Sequence, residues 1–129
     1  MFSFALWFNY LALFLAMDGV QEVIYNKVID CLENKKMFLD PDLSLIKFSK
    51  IVGTNTTYLS NTINTYFKCN FRTLVNQYRI RFAQEALKEG SLQFDNLPAG
   101  TGFTSKSSFY DWFQKLTGTS PGAFLKNQR

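Results

Sequence analysis

A run of short, uncharged polar side chains occupies residues 55–66, where Thr, Ser and Asn alternate with apolar residues. Hydroxyl and amide groups both donate and accept hydrogen bonds, which suits contact with the base edges or phosphates of a nucleic acid. A merely solvated helix surface is the alternative, but such surfaces favour Glu and Lys, whereas Thr and Asn are poor helix formers. The density of these side chains favours a contact role for Thr56, Thr57, Ser60, Asn61 and Asn64.

A second segment mixes polar and aromatic residues at positions 105–117. Its apolar side chains recur at steps of three and four, which predicts a helix with one buried face formed by Phe109, Trp112, Phe113 and Leu116. The remaining surface then exposes four further candidates for nucleic-acid contact, Lys106, Ser107, Ser108 and Asp111.

The chain from residue 43 onward is strongly basic. Eleven Lys and Arg residues are opposed there by four acidic residues, whereas the whole chain has a net charge of only +4. A basic surface suits a polyanionic partner, because each neutralised phosphate releases condensed counterions. A solvated basic surface without a partner explains the charge equally well, so this signal supports nucleic-acid binding only together with the polar segments.

Composition argues against catalysis and metal binding. The chain has no histidine, the commonest general base and the commonest metal ligand. Cys31 and Cys69 stand far apart without neighbouring ligands, so we expect neither a zinc site nor a structural disulfide. Since a glycine-rich phosphate loop and clustered carboxylates are also missing, the sequence predicts no enzyme activity, no metal and no cofactor.

Helix signals surround both polar segments. Apolar residues at three- and four-residue steps predict an amphipathic helix over residues 20–36, which ends before the sequence DPD at 40–42. Later boundaries follow from capping chemistry. A short helix is predicted to begin at the cap Ser44 and to end at Gly53, and the next helix begins at Asn55 or Thr56. A long helix over residues 71–89 is predicted to begin at the cap Asn70 and to end at Gly90.

The second half of the chain repeats the first at an offset of 50 residues. Ile63 falls on Phe113 and Asn70 on Ser120, while Gly53 corresponds to Gly102 with one residue inserted after it. A short helix, a tight turn and a second helix, used twice, predict two helix-turn-helix units. A connecting helix of about 19 residues is about 28 Å long, close to the roughly 34 Å of one DNA turn, so both second helices could enter successive major grooves.

Residues 1–17 form an uncharged, apolar stretch in which only Ser3 and Asn9 are clearly polar. A signal peptide lacks support because no basic residue precedes Lys27. A buried core helix is open as an interpretation, although the stretch is apolar on all sides. We favour a membrane span, in which case the basic body would lie on the cytoplasmic side, tethered to the membrane.

The predicted fold is all-α, with two helix-turn-helix subdomains of homeodomain-like type joined by a long linker helix and preceded by an apolar helix. We expect residues 1–19 to form the apolar segment, residues 20–38 a connecting amphipathic helix, and residues 39–129 a double helix-turn-helix domain.

Residues 102–121, GFTSKSSFYDWFQKLTGTSP, closely resemble the signature G-F-x-S-x-S-x-F-x-x-x-F-K-x-x-x-G-x-[ST]-P of the AraC/XylS family of transcription regulators. Residues 78–83, YRIRFA, are similar to the linker-helix motif of that family, and residues 45–71 resemble its first helix-turn-helix. Residues 39–43 resemble the sequence that precedes this domain in membrane-tethered and hybrid two-component members.

The resemblance implies transcriptional control, often activation, through an asymmetric site on double-stranded DNA and contact with RNA polymerase. By position it assigns base contacts to Thr57, Ser60 and Asn61 in the first unit and to Lys106, Ser107, Ser108 and Asp111 in the second. Charge alone makes Arg72 and Lys115 candidate phosphate clamps.

The second unit departs from the family pattern. Gln114 replaces the usual lysine, and Asp111 stands where arginine is frequent, so a carboxylate near phosphates would repel unless it accepts from a cytosine amino group. Pro98 and Gly100 would cost about 3 and about 1 kcal/mol in a helix interior, so we expect a short, kinked or partly lost supporting helix. The first unit is therefore predicted to carry more of the affinity, and an interaction module that has lost DNA reading is the alternative function.

Overall fold

The computed structural model describes residues 19–128, and these residues form helices and turns without any strand. The all-α class is therefore confirmed. The stretch 1–17, predicted as a membrane span, lies outside the described residues. Within residues 19–128, no helix combines the length and apolarity that a membrane crossing requires.

The described part of the chain divides into two compact units. The first unit combines residues 19–34 with 44–71, and the second combines residues 35–43 with 72–128. Their α-helices, in chain order, are α1 (Gly19–Ile29), α2 (Leu45–Val52), α3 (Thr56–Phe67), α4 (Phe71–Glu89), α5 (Leu97–Gly100), α6 (Lys106–Thr117) and α7 (Pro121–Asn127). Helix α4 passes from the first unit into the second.

Three helices build the first unit, because α1 packs against both α2 and α3, and these two pack on each other. The predicted helix over residues 20–36 continues from α1 through a π-helical turn, Asp30–Asn34, and so ends two residues early. Val20 and Val23 are exposed, and the buried stripe instead includes Tyr25, which stacks on Phe67 with ring centroids 5.1 Å apart. The rest of this core is Ile24, Val28, Cys31, Leu32, Phe48, Val52, Leu59 and Ile63.

Local capping chemistry sets the boundaries of α2, α3 and α4. The hydroxyl of Ser44 accepts from the backbone N–H of Lys47, and the amide oxygen of Asn55 accepts from that of Tyr58, as predicted for N-caps. Gly53 and Gly90 adopt the left-handed conformation that ends a helix. The long helix α4 buries Leu74, Val75, Asn76, Ile80, Ala83, Ala86 and Leu87, whereas Tyr78 and Phe82 are only half-buried.

The second unit encloses an aromatic core. Ile80, Ala83, Ala86 and Leu87 of α4 pack with Leu97, Phe103, Phe109 and Phe113. Phe103 meets Phe109 edge to face, and Phe113 meets Phe124 of α7 in the same way. Helix α7 starts at the cap Ser120, whose hydroxyl accepts from the backbone N–H of Ala123.

The supporting helix of the second unit is short, as predicted, but Pro98 does not disrupt it. A 3-10 turn, Phe94–Asn96, runs directly into α5, and Pro98 lies in the first turn of that helix. A proline there gives up no intrahelical hydrogen bond, so the expected cost of about 3 kcal/mol does not arise. The buried Thr101 hydroxyl donates to the carbonyl of Leu97 at 2.6 Å and thereby helps to close the short helix.

Both units contain the same turn between their two helices. In the first unit the N–H of Thr54 donates to Ser49 O at 2.9 Å, and the N–H of Gly53 donates to Lys50 O at 3.2 Å. In the second, Phe103 and Gly102 donate to Pro98 O and Ala99 O at the same two distances. This pair of bonds defines a Schellman motif, so the predicted repeat extends to the hydrogen bonding of the turn.

Residues 35–43 cover the turn of the second unit. Arg79 fastens them, because its Nε donates to Phe38 O at 2.7 Å and its Nη2 donates to Asp40 O at 3.0 Å. Its guanidinium also lies over the Phe103 ring at 5.5 Å. Partial burial lowers the pKa of Arg79, and the Asp40 carboxylate opposes this shift. Arg79 therefore serves the packing of this unit.

Candidate nucleic-acid interface

The second helix of the first unit, α3, has one buried side and one polar side. Leu59, Thr62 and Ile63 are buried, and the hydroxyl of Thr62 donates to the carbonyl of Tyr58 at 2.9 Å. Thr57, Asn61 and Asn64 are exposed on the opposite side, at steps of four and three residues that align them along the helix. We call these three residues the α3 stripe.

The remaining candidates of α3 lie beside this stripe. Thr56 and Ser60 are half-buried and flank the stripe on one side. Lys68 continues the stripe by one more turn at the C-terminal end of α3, where it adopts a left-handed conformation with φ 60° and is exposed. Sequence reasoning missed Lys68, although its position, four residues after Asn64, indicates the same face.

Helix α6 matches α3 in length and in register. Both helices have twelve residues, begin after a capping residue (Asn55 or Ser105) and are offset by 50 positions. The equivalents of Leu59 and Ile63 are Phe109 and Phe113, and all four are fully buried. The exposed equivalents of the α3 stripe are Ser107, Asp111 and Gln114, which we call the α6 stripe.

The sequence-based candidates cover the α6 stripe only in part. Ser107 and Asp111 belong to it, whereas Gln114 was missed, even though the 50-residue offset places it at the position of Asn64. Tyr110, with 42% of its surface exposed, is a second missed residue and borders the stripe at the position of Ser60. Lys106 is exposed at the start of α6 and lies to the same side of the stripe as Tyr110.

The two predicted phosphate clamps, Arg72 and Lys115, meet on one aromatic ring. The Nζ of Lys115 lies 4.6 Å from the centroid of the Trp112 indole, and the Cζ of Arg72 lies 6.0 Å from it. Ser108, which is half-buried, lies one turn before Trp112 on this flank of α6. Helix α6 thus has polar side chains along its stripe, and along one flank it has Lys115 together with Arg72 of α4.

Groups suited to other chemistry are sparse around these helices. Within residues 19–128, no three His, Cys, Asp or Glu side chains lie close enough together to hold a metal ion. Within the described residues neither Cys31 nor Cys69 forms a disulfide, and burial raises the pKa of Cys69, which favours its protonated form near neutral pH. Helices α3 and α6 each present an exposed polar side opposite a buried one.

These features define a double helix-turn-helix domain, and comparison with known proteins identifies its family. A model described as a helix-turn-helix domain matches residues 48–127, which is more than half of the chain. The chain belongs to the AraC-type helix-turn-helix family, a family of DNA-binding transcription regulators. No curated protein sequence matches this chain.

Solved structures with the same fold come from several bacteria. The C-terminal domain of AraT, a response regulator from Geobacillus stearothermophilus, matches with a TM-score of 0.70 and 22% identity over 81% of this chain and 84% of that one. The C-terminal domain of the two-component response regulator yesN from Fusobacterium nucleatum matches at 0.67 and 21%, over 84% and 99%. An AraC-type transcriptional regulator from Chromobacterium violaceum matches at 0.66 and 15%, over 81% and 96%.

Proposed function

We propose that the chain is a sequence-specific DNA-binding transcription regulator that inserts α3 and α6 into successive major grooves of one DNA duplex. The observation that carries this proposal is the equivalence of the two helices. Each is the second helix of a helix-turn-helix unit with the same turn, and each exposes a polar stripe opposite its buried side. In proteins with this motif, the second helix supplies the side chains that contact base edges.

The side chains of the stripes suit base contact. Asn61, Asn64 and Gln114 carry amides that can pair with N6 and N7 of adenine, and Asp111 can accept from N4 of cytosine. Thr57 and Ser107 can accept, donate or touch a thymine methyl group. The length of α4 supports the proposal, because its 19 residues span about 28 Å and one DNA turn is roughly 34 Å.

Transcriptional control is the role we assign to this binding. We propose that residues 39–129 form the DNA-binding domain, that it acts on DNA in the cytoplasm, and that RNA polymerase is its protein partner, as the family suggests. Anchoring to a membrane through residues 1–17 is part of the same hypothesis. We propose no catalytic reaction and no cofactor for the chain.

Binding of the full chain to a random-sequence duplex library tests the proposal. We expect successive rounds of selection to enrich a common motif, and the logarithm of the binding constant to fall linearly with the logarithm of salt concentration between about 50 and 200 mM. Binding without a common motif would contradict sequence specificity. A chain that binds no duplex at low salt would instead support an interaction module that keeps the fold, the alternative that Asp111 motivates.

A matched pair of variants ties the result to α3. Asn61→Ala removes an amide from the α3 stripe, whereas Asn26→Ala makes the same change at an exposed position of α1. We expect the first variant to weaken binding to the selected motif and the second to leave it unchanged. Equal effects of both substitutions would show that the α3 stripe does not contact the motif.

A further inference from the structure

We propose that Trp112 is a positioning residue whose indole holds Arg72 and Lys115 as a paired clamp for the phosphates of one DNA strand. The inference rests on the proposed DNA binding and assigns a division of labour to α6. The α6 stripe contacts the bases, and the side chains on the flank of α6 contact the sugar-phosphate backbone of DNA.

The geometry around the ring supports this role. Both cations lie within the roughly 6 Å over which the face of an indole attracts a cation, at 4.6 Å for Lys115 and 6.0 Å for Arg72. Tryptophan attracts a cation more strongly than the other aromatic side chains. Two long, exposed side chains that would otherwise sample many rotamers are thereby held beside one ring, and this lowers the entropy lost when they bind an anion.

The two cations are available to an external anion. Among residues 19–128, neither Arg72 nor Lys115 forms an ion pair with a carboxylate, although Asp111 lies one helical turn before Lys115. Both side chains are exposed, whereas Trp112 is half-buried against the core of the second unit. An anchored ring with two unpaired cations is a suitable site for a polyanion and an unsuitable one for a neutral ligand.

The position on α6 indicates which part of DNA would bind. Ser108, Trp112 and Lys115 follow one another at steps of four and three residues, along a line about a quarter-turn from the α6 stripe. When a helix lies in a major groove, its crest meets base edges and its flanks meet the phosphates of the groove walls. At the equivalent of Trp112 the first unit has the buried Thr62, so this clamp belongs to the second unit alone.

The test compares salt dependence in the full chain bound to a short mixed-sequence duplex. Lys115→Gln should lower the slope of log binding constant against log salt by about 0.9, the value for one phosphate contact. Trp112→Leu keeps an apolar side chain on the core but removes the ring. We expect it to lower the slope by at least that amount, because both cations lose their support, and to lower the affinity at low salt by about fivefold to tenfold. Trp112→Phe should restore most of the slope.

Phe124→Leu is the matched control. Phe124 also packs against the core of the second unit and lies 5.9 Å from Lys88 Nζ, but that lysine is already paired with Glu85. This variant should lose stability while it keeps the slope of the unaltered chain. A double-mutant cycle adds a second readout, because Lys115→Gln should have little further effect in the Trp112→Leu background.

The outcomes separate the two levels of the proposal. Equal slopes for the unaltered chain and Trp112→Leu, or full additivity in the cycle, would overturn the clamp and leave DNA binding intact. No binding by the unaltered chain at low salt would overturn DNA binding itself and the clamp with it.

Discussion

The two helix-turn-helix units share the hydrogen bonds of their turn, but they differ in the helix before the turn and in the residues that cover it. In the first unit, the eight-residue helix α2 leads into a turn whose glycine, Gly53, has open space beside it: among the described residues, a Cβ added there would come within 4 Å only of Lys27 Nζ, at 3.7 Å. In the second, a 3-10 turn and the four-residue helix α5 lead into Gly102, which is enclosed by the backbone of residues 38–39 and by Arg79.

This difference shows which part of the motif tolerates change. Two backbone bonds and one left-handed glycine define the turn in each unit, so the turn is kept although the preceding helix shortens to a single turn in the second unit. The shorter helix of the second unit offers less surface to pack against, and residues 35–43 supply additional cover. We expect the second unit to depend on contacts distant in sequence, and the first to depend on local ones.

Replacing the two turn glycines should give the largest contrast. Both have positive φ, where an alanine costs about 1–2 kcal/mol. At Gly102 the new Cβ would also overlap the carbonyl oxygen of Phe38 and lie 2.9 Å from Arg79 Nε, so we expect Gly102→Ala to lower the free energy of unfolding by about 3–5 kcal/mol. Gly53→Ala should cost only the conformational term. Urea unfolding measures the loss in free energy of unfolding for both variants. Equal losses would mean that residues 35–43 can move away from the new Cβ at little energetic cost.

Removing the guanidinium of Arg79 tests how residues 35–43 are held over the turn of the second unit. Arg79→Met keeps the apolar stem but deletes the bonds to Phe38 O and Asp40 O, and we expect a loss of about 2–3 kcal/mol. Trypsin should then cleave more rapidly after Lys35 and Lys36, because residues 35–43 would detach. Lys27→Met is the counterpart in the first unit, where one bond of 3.3 Å to Val52 O is lost, and it should change stability little. Unchanged proteolysis of Arg79→Met would contradict the role assigned to Arg79.

Short-range chemistry made much of the fold predictable. The caps at Ser44 and Asn55 and the stops at Gly53 and Gly90 depend on residues within four positions, and the sequence located each of them, Asn55 as one of two alternatives. The interpretation of Pro98 was wrong because the cost of proline depends on where its helix begins, and that start follows from the 3-10 turn before it. Burial of Tyr25 rather than Val23 depends on which side of α1 meets α3, which periodicity alone does not fix.

The candidate interface was predictable to a similar extent. The polar face of α3 followed from residue types, because a buried side made by Leu59 and Ile63 leaves the opposite side exposed. Gln114 could have been found from the 50-residue repeat. The meeting of Arg72 with Lys115 on Trp112 could not, since Arg72 lies 40 positions before that ring and no local periodicity connects them.

Paired substitutions on the two stripes should sharpen the functional comparison. We expect Asn61→Ala to cost about 1–3 kcal/mol of affinity for the selected motif, the usual value for a bidentate amide–base contact. Ser107→Ala at the α6 position equivalent to Thr57 should cost less, because one short hydroxyl makes a weaker contact and Asp111 repels nearby phosphates. Titration of a labelled duplex measures both, with Asn26→Ala as the control. Equal losses would show that the first unit does not carry the larger share of affinity.

The smallest expected effect concerns the C-terminal ends of α3 and α6, which both adopt a left-handed conformation, at Lys68 and at Gly118. A lysine side chain is strained there, while a glycine is not. Lys68→Gly should therefore raise the free energy of unfolding by about 0.5 kcal/mol, the strain released less the entropy that glycine adds to the unfolded chain. The same variant should weaken DNA binding slightly through the loss of one charge at the end of the α3 stripe. Lys68→Asn removes the charge with less added freedom, so it should weaken binding equally; a stability gain without any change in binding would exclude Lys68 from the interface.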